Sequence, residues 1–164
     1  MAQAVAIAGM ERPVNKILLL LAVTSIATLA HAAPWPYDEQ ADAAADVRQA
    51  IAAAQADHKK VLLVFGANWC EDCRALDRAM HGSSQHLIDS HFEVVKIDIG
   101  NFDKNLALAN RFGNPIAKGI PSIVVVGAGS QVIYATNDGE LANARQMTEQ
   151  GIYAFLKQKI ANRS

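Results

Sequence analysis

The order of apolar and polar positions divides the chain into short strands alternating with amphipathic helices. Asp38 to Asp57 is Ala-rich and sets Val47, Ile51 and Ala54 at helical spacing, which predicts a helix with one apolar face. Val61 to Phe65 is a continuous apolar run, as expected of a strand covered on both faces. Helical composition returns from Cys70 to Met80 and stops near Gly82, and Ser84 to Ser90 suits a further short helix. Phe92 to Ile99 predicts the next strand, and Asp103 to Phe112 the next helix, with Leu106, Ala109 and Asn110 following its turn. Strand, helix and strand in succession imply a right-handed crossover between parallel strands. After Pro121, Ser122 to Val126 and Gln131 to Tyr134 flank Gly127-Ala128-Gly129 and predict a β-hairpin with a glycine turn. Asn137-Asp138-Gly139 marks another turn, and Ile152, Phe155, Leu156 and Ile160 share one face of a C-terminal helix. No repeat, low-complexity tract or internal linker interrupts the pattern. The expected fold class is α/β, a central mixed β-sheet flanked by helices on both faces.

Composition changes this picture only at the amino end. With 164 residues, 51% apolar and 19% charged, the chain has the balance of one globular domain. A formal net charge of −1 offers no basic excess for nucleic acid or anionic lipid. Ile17 to Ala30, however, is a run of 14 uncharged residues preceded by Arg12 and Lys16 and followed by Ala30-His31-Ala32. A basic flank, a short apolar stretch and an Ala-x-Ala site describe a secretory signal peptide. A membrane anchor needs roughly 20 apolar residues, and this run is shorter and interrupted by Thr24, Ser25 and Thr28. Residues 1–32 are therefore expected to be a signal peptide cut after Ala32. Residues 33–164 are the mature domain, periplasmic or secreted and without a stable membrane anchor. Met10 opens a compact basic start of its own, so translation begins at Met1 or Met10. Cleavage removes Arg12, Lys16 and Glu11, leaving 13 basic and 15 acidic side chains.

Candidate chemistry gathers at Trp69-Cys70-Glu71-Asp72-Cys73, which holds both cysteines of the chain. The pair follows a buried strand and opens a helix, where unpaired N–H groups and the macrodipole stabilise a thiolate at Cys70. Cys73, one turn on, can attack a mixed disulfide and release a substrate. Other readings stay open beside this one. A zinc site usually takes four ligands and no second CxxC exists, although His58, His81, His86 and His91 are available. Haem attachment needs His after the second cysteine, where Arg74 stands. A purely structural disulfide across so small a loop constrains the unfolded chain little.

Strand, Trp-Cys-x-x-Cys on a helix, and later Gly119-Ile120-Pro121-Ser122 before a strand resemble the thioredoxin superfamily. The motifs span roughly Val61 to Val126, and the order of elements covers nearly the whole mature chain. The likeness is to exported, periplasmic thioredoxin-like proteins and to the C-terminal domain of the transmembrane thiol-disulfide interchange reductase. It implies that Cys70 attacks, that Cys73 resolves, and that Trp69 flanks the site as a substrate surface, or else as a partly buried core aromatic. It also implies that Pro121 follows a cis bond, which turns the Ile120 backbone towards a substrate strand, where the residue by itself reads as an ordinary strand-initiating proline. Thioredoxins proper carry a buried Asp six positions before the first cysteine; Val64 stands there. Lys96 matches the lysine that partners that Asp, or is simply a strand-end charge.

Glu71 and Asp72 bear on the direction of electron flow. Carboxylates near Cys70 disfavour its thiolate, which destabilises the reduced form and makes the dithiol a better reductant, unless both side chains point to water and are screened there. The expected function is thus a thiol-disulfide oxidoreductase that reduces disulfides of exported proteins. Its substrates are protein thiols and disulfides, and an upstream reductant recharges it, a membrane thiol-disulfide reductase being one candidate. The alternatives are a disulfide isomerase or oxidase, or a non-catalytic binding module on the same fold. No cofactor, metal or nucleic acid is expected.

Overall fold

A computed structural model describes residues 35–161; the expected signal segment, residues 1–32, and both candidate start methionines lie outside these residues. The described elements are α1 (Ala43–Ala56), β1 (Lys60–Gly66), α2 (Glu71–His81), α3 (Gln85–His91), β2 (Phe92–Asp98), α4 (Leu106–Arg111), β3 (Ser122–Val126), β4 (Val132–Ala135) and α5 (Glu149–Leu156). One sheet holds the strands in the order β2-β1-β3-β4. β1 and β2 are parallel, with Val64 opposite Lys96, whereas β1–β3 and β3–β4 are antiparallel.

The continuous apolar run of β1 has a direct structural reason. Val61, Leu63 and Phe65 point to one face and pack with Val47, Ala50 and Ala54 of α1. Leu62 and Val64 point to the other and pack with Leu76 and Ala79 of α2 and with Ile152 and Leu156 of α5. Both faces of the mixed sheet are thus covered by helix, as the apolar pattern predicts, and truncating Leu62 or Leu63 to Ala would cost about 2–5 kcal/mol.

Element boundaries differ from the pattern where local backbone chemistry intervenes. α1 starts at Ala43 rather than Asp38, because Asp42 caps it by accepting a hydrogen bond from Ala45 N at 3.0 Å. The helix expected from Asp103 starts only at Leu106: Gly100, Phe102 and Asn105 all take positive φ, 57°, 62° and 53°, which no α-helix accommodates. In the hairpin the left-handed residue is Ser130, φ 63°, rather than a glycine, and β4 is displaced by one residue to Val132–Ala135. Beyond β4, Thr136 extends the pairing with its side chain, Oγ1 accepting from Ile123 N at 2.8 Å. Asn114 and Gly119 bracket a 3₁₀ turn over Pro115–Lys118, and α5 runs into a π-helical turn at Lys157–Ala161 that keeps Ile160 buried. Among the described residues no helix is long and apolar enough to cross a membrane.

Candidate active site

β1 delivers the chain to Gly66, and the loop Ala67–Trp69 carries it to Cys70 at the amino terminus of α2. Cys70 is the N-cap in extended conformation, and its Sγ accepts from Cys73 N at 3.1 Å, taking the role usually filled by a Ser or Asp oxygen. The two sulfurs are joined in a disulfide, with the Cα atoms 5.2 Å apart. Cys70 keeps 5% exposure and Cys73 none, so an incoming sulfur reaches Cys70 first. Arg74 braces the loop from inside the helix, donating to Asn68 O at 2.7 Å.

The facing wall comes from the segment before β3. The Ile120–Pro121 bond is cis, and Ile120 O lies 3.8 Å from Cys70 Sγ. The Ile120 amide N–H has no protein partner among the described residues. Trp69 is 54% exposed, its Nε1 donating to Gly100 O at 2.9 Å and its ring tilted against Phe102 with centroids 6.3 Å apart. Of the two placements open to Trp69 in the sequence, the structure gives the exposed one. Phe102 and Leu106 continue the apolar surface into a shallow groove whose far side is Ile116, Ala117 and Gly119 of the 3₁₀ turn.

The remaining candidates are brought to the site by partners that the sequence does not reveal. Glu71 and Asp72 share Arg145, 74 and 73 residues further along the chain: its Nη1 is 3.0 Å from Glu71 Oε2 and 3.8 Å from Asp72 Oδ2, and its backbone N–H donates to Asp72 Oδ1 at 2.9 Å. The guanidinium offsets one of the two negative charges. Lys96 faces Val64 across the sheet and forms an ion pair with Asp77 of α2, so a carboxylate reaches this lysine from the helix rather than from β1. Asp77 is four residues after Cys73 and on the same helical face. Beneath the disulfide lies Tyr37, 3% exposed, whose hydroxyl is pushed well above the ordinary tyrosine range by burial and then by Asp77 and Asp98. Tyr37, Asp77 and Arg145 were all missed by sequence reasoning. Only Asp77 carried a signal, its spacing of four from Cys73. Among the described residues no three His, Cys, Asp or Glu side chains converge as metal ligands would.

An outward sulfur at a helix terminus, a buried second sulfur and a cis-proline wall make a site for exchanging disulfides, and comparison with known proteins agrees. A thioredoxin-like family model matches residues 42–128. The crystal structure of a disulphide isomerase from Xylella fastidiosa Temecula1 is 55% identical, covering 77% of this chain and 98% of its own, with a TM-score of 0.75. The C-terminal domain of DsbD from Neisseria meningitidis, in its oxidised form, is 26% identical over 58% of this chain and 82% of its own, with a TM-score of 0.46. No curated protein sequence matches. The chain belongs to the thioredoxin-like family. It is a thiol-disulfide oxidoreductase that carries its redox pair at Cys70 and Cys73.

Proposed function

We propose that the Cys70–Cys73 dithiol reduces disulfides of exported proteins. The Cys70 thiolate attacks one sulfur of the substrate disulfide, and the other substrate sulfur leaves with the electron pair and takes a proton from water. Cys73 then gives up its proton to water, its sulfur bonds to Cys70 Sγ, and the substrate departs as a second thiolate. Two electrons have passed to the substrate and the Cys70–Cys73 disulfide remains, to be reduced by an upstream dithiol. In this reading Ile120 pairs its free amide with an extended substrate segment, Pro121 shapes that wall, and Trp69 receives an apolar side chain.

The observation that favours this direction is the charge at the start of α2, a contribution of about 20 mV at most. Glu71 and Asp72 against the single guanidinium of Arg145 leave a net negative charge beside the N-cap sulfur. That charge works against the reduced form. Export is supported by the basic flank, apolar run and Ala-x-Ala site of residues 1–32. It requires the recharging partner, since an oxidising compartment would otherwise leave the pair as a disulfide.

A Cys73→Ser variant tests the mechanism. Incubated with a disulfide-bonded protein it should accumulate a mixed disulfide on Cys70, and Cys70→Ser should trap none. Trapping on neither variant would overturn the assignment. A second reading, disulfide isomerase, is favoured by the name of the 55% identical structure. It predicts that the reduced protein reactivates scrambled ribonuclease without being consumed, whereas a reductant is oxidised one equivalent per disulfide opened.

A further inference from the structure

Tyr37 has no part in the exchange chemistry described so far, yet the fold ties it to the site. Asn68 holds its backbone from both sides, Oδ1 accepting from Tyr37 N at 3.0 Å and Nδ2 donating to Tyr37 O at 2.9 Å. Asn68 stands two residues before Cys70, so Tyr37 is anchored to the active-site loop itself. Its phenol runs under the disulfide: a Cβ added to Gly66 would overlap the Tyr37 hydroxyl and stand 2.9 Å from Cys73 Sγ. Phenol oxygen and buried sulfur therefore both border the space where Gly66 lacks a side chain. Among the described residues no group is hydrogen-bonded to this hydroxyl.

Cys73 needs such a neighbour. It is wholly buried, and burial disfavours a thiolate. Val64 supplies no polar group from β1. The charged side chains around the pair have partners of their own: Asp77 of α2 with Lys96 of β2, Asp98 of β2 in an ion pair with Lys104 at 3.3 Å although its buried Oδ2 accepts no hydrogen bond, Arg74 of α2 with Asn68 O, and Glu39 with Asn68 Nδ2 at 3.0 Å. A phenol that resists ionisation remains an O–H donor throughout the working range of a thiol.

We propose that Tyr37 is a positioning residue for the resolving thiol: once the disulfide opens, its O–H donates a hydrogen bond to the Cys73 thiolate and sustains it at a buried position. The phenol keeps its proton throughout; Cys73 loses its own to water, forms the bond to Cys70 Sγ, and the electron pair of the broken mixed disulfide leaves on the substrate sulfur. The kinetic part of this inference rests on Cys73 being the resolving cysteine, whereas the contact itself does not.

The test uses Tyr37→Phe, which removes only the oxygen, and 3-fluorotyrosine at position 37, a stronger acid and better donor. In a Cys70→Ser chain Cys73 is the single thiol, and its ionisation is followed by thiolate absorbance against pH. Tyr37→Phe should raise its pKa by about one unit or more, a tenfold loss of thiolate at a given pH, and fluorotyrosine should lower it. In the chain with both cysteines, Tyr37→Phe should shift the pH profile of substrate release to higher pH and accumulate mixed disulfide. In the Cys73→Ser background it should leave the rate of Cys70 attack unchanged. A structural role alone would lower thermal stability and move neither titration nor profile. Unchanged Cys73 titration in folded Tyr37→Phe, or shifts of one sign in both variants, would overturn the proposal; should Tyr37→Phe not fold, the fluorotyrosine shift decides. If Cys73→Ser traps no substrate while both titrations move as stated, the functional reading fails and the Tyr37 contact stands.

Discussion

Arg145 offers the sharpest test of how charge sets the properties of Cys70. Replacing it with Gln removes the guanidinium from Glu71 and Asp72, while its backbone N–H continues to hold Asp72 at 2.9 Å and keeps the loop in place. The Arg145 and Glu71 side chains are 52% and 63% exposed, so the dielectric is close to that of water. A unit charge a few ångströms away is then worth about 1 kcal/mol at most, and less after screening. Loss of one positive charge should raise the Cys70 pKa by about half a unit. Where Cys70 is ionised, the reduction potential should become more negative by about 10–20 mV, since 30 mV corresponds to roughly 1.4 kcal/mol. Thiolate absorbance reads the first quantity and equilibration with glutathione the second. Arg145→Lys should restore both, and about 1 M salt, with a Debye length near 3 Å, should abolish the difference. A shift of opposite sign, or one that persists in full at high salt, would refute the electrostatic reasoning.

Other consequences follow from the geometry beneath and beside the disulfide. Gly66→Ala should destabilise the fold by about 1–3 kcal/mol in denaturant titration, because its Cβ would meet the Tyr37 ring and Cys73 Sγ together; an unchanged midpoint would show that the two can part freely. The folded protein holds the Tyr37 proton more tightly than the unfolded chain, which releases it above about pH 10. The unfolded state then binds fewer protons, so stability must fall as pH rises through that range, and Tyr37→Phe should flatten this slope in urea titrations between neutral and alkaline pH. Trp69→Ala should raise KM for a protein substrate roughly tenfold with little change in kcat, as loss of an aromatic contact does. Its melting temperature should barely move, because the ring is 54% exposed.

Elements with strong local signals were legible in the sequence. The unbroken apolar run Val61 to Phe65 reads as a strand covered on both faces, and both faces are covered. Cys70 just after a buried strand reads as a helix terminus, and it is the N-cap of α2. The loop between β2 and α4 was only partly legible: Gly100 marks its start, but Phe102 adopts left-handed backbone that its residue type does not announce. The partners of the site were hidden for a different reason: they come from far along the chain. Asn68 meets Tyr37 across 31 residues, and Arg145 meets Asp72 across 73. Tyr37 follows Trp35-Pro36 ahead of the first helix, with no periodicity to mark a buried side chain. Lys96 could be placed on its strand, but its carboxylate comes from Asp77 of α2, 19 residues earlier in the chain.

The equilibrium reduction potential of the Cys70–Cys73 pair, titrated against glutathione or dithiothreitol, tests the central claim most directly. A reducing pair should show a value near or below about −230 mV, towards the thioredoxin end of the range. A value of roughly −120 to −180 mV, where strong oxidants and isomerases lie, would contradict it and reverse the direction in which this pair passes its electrons.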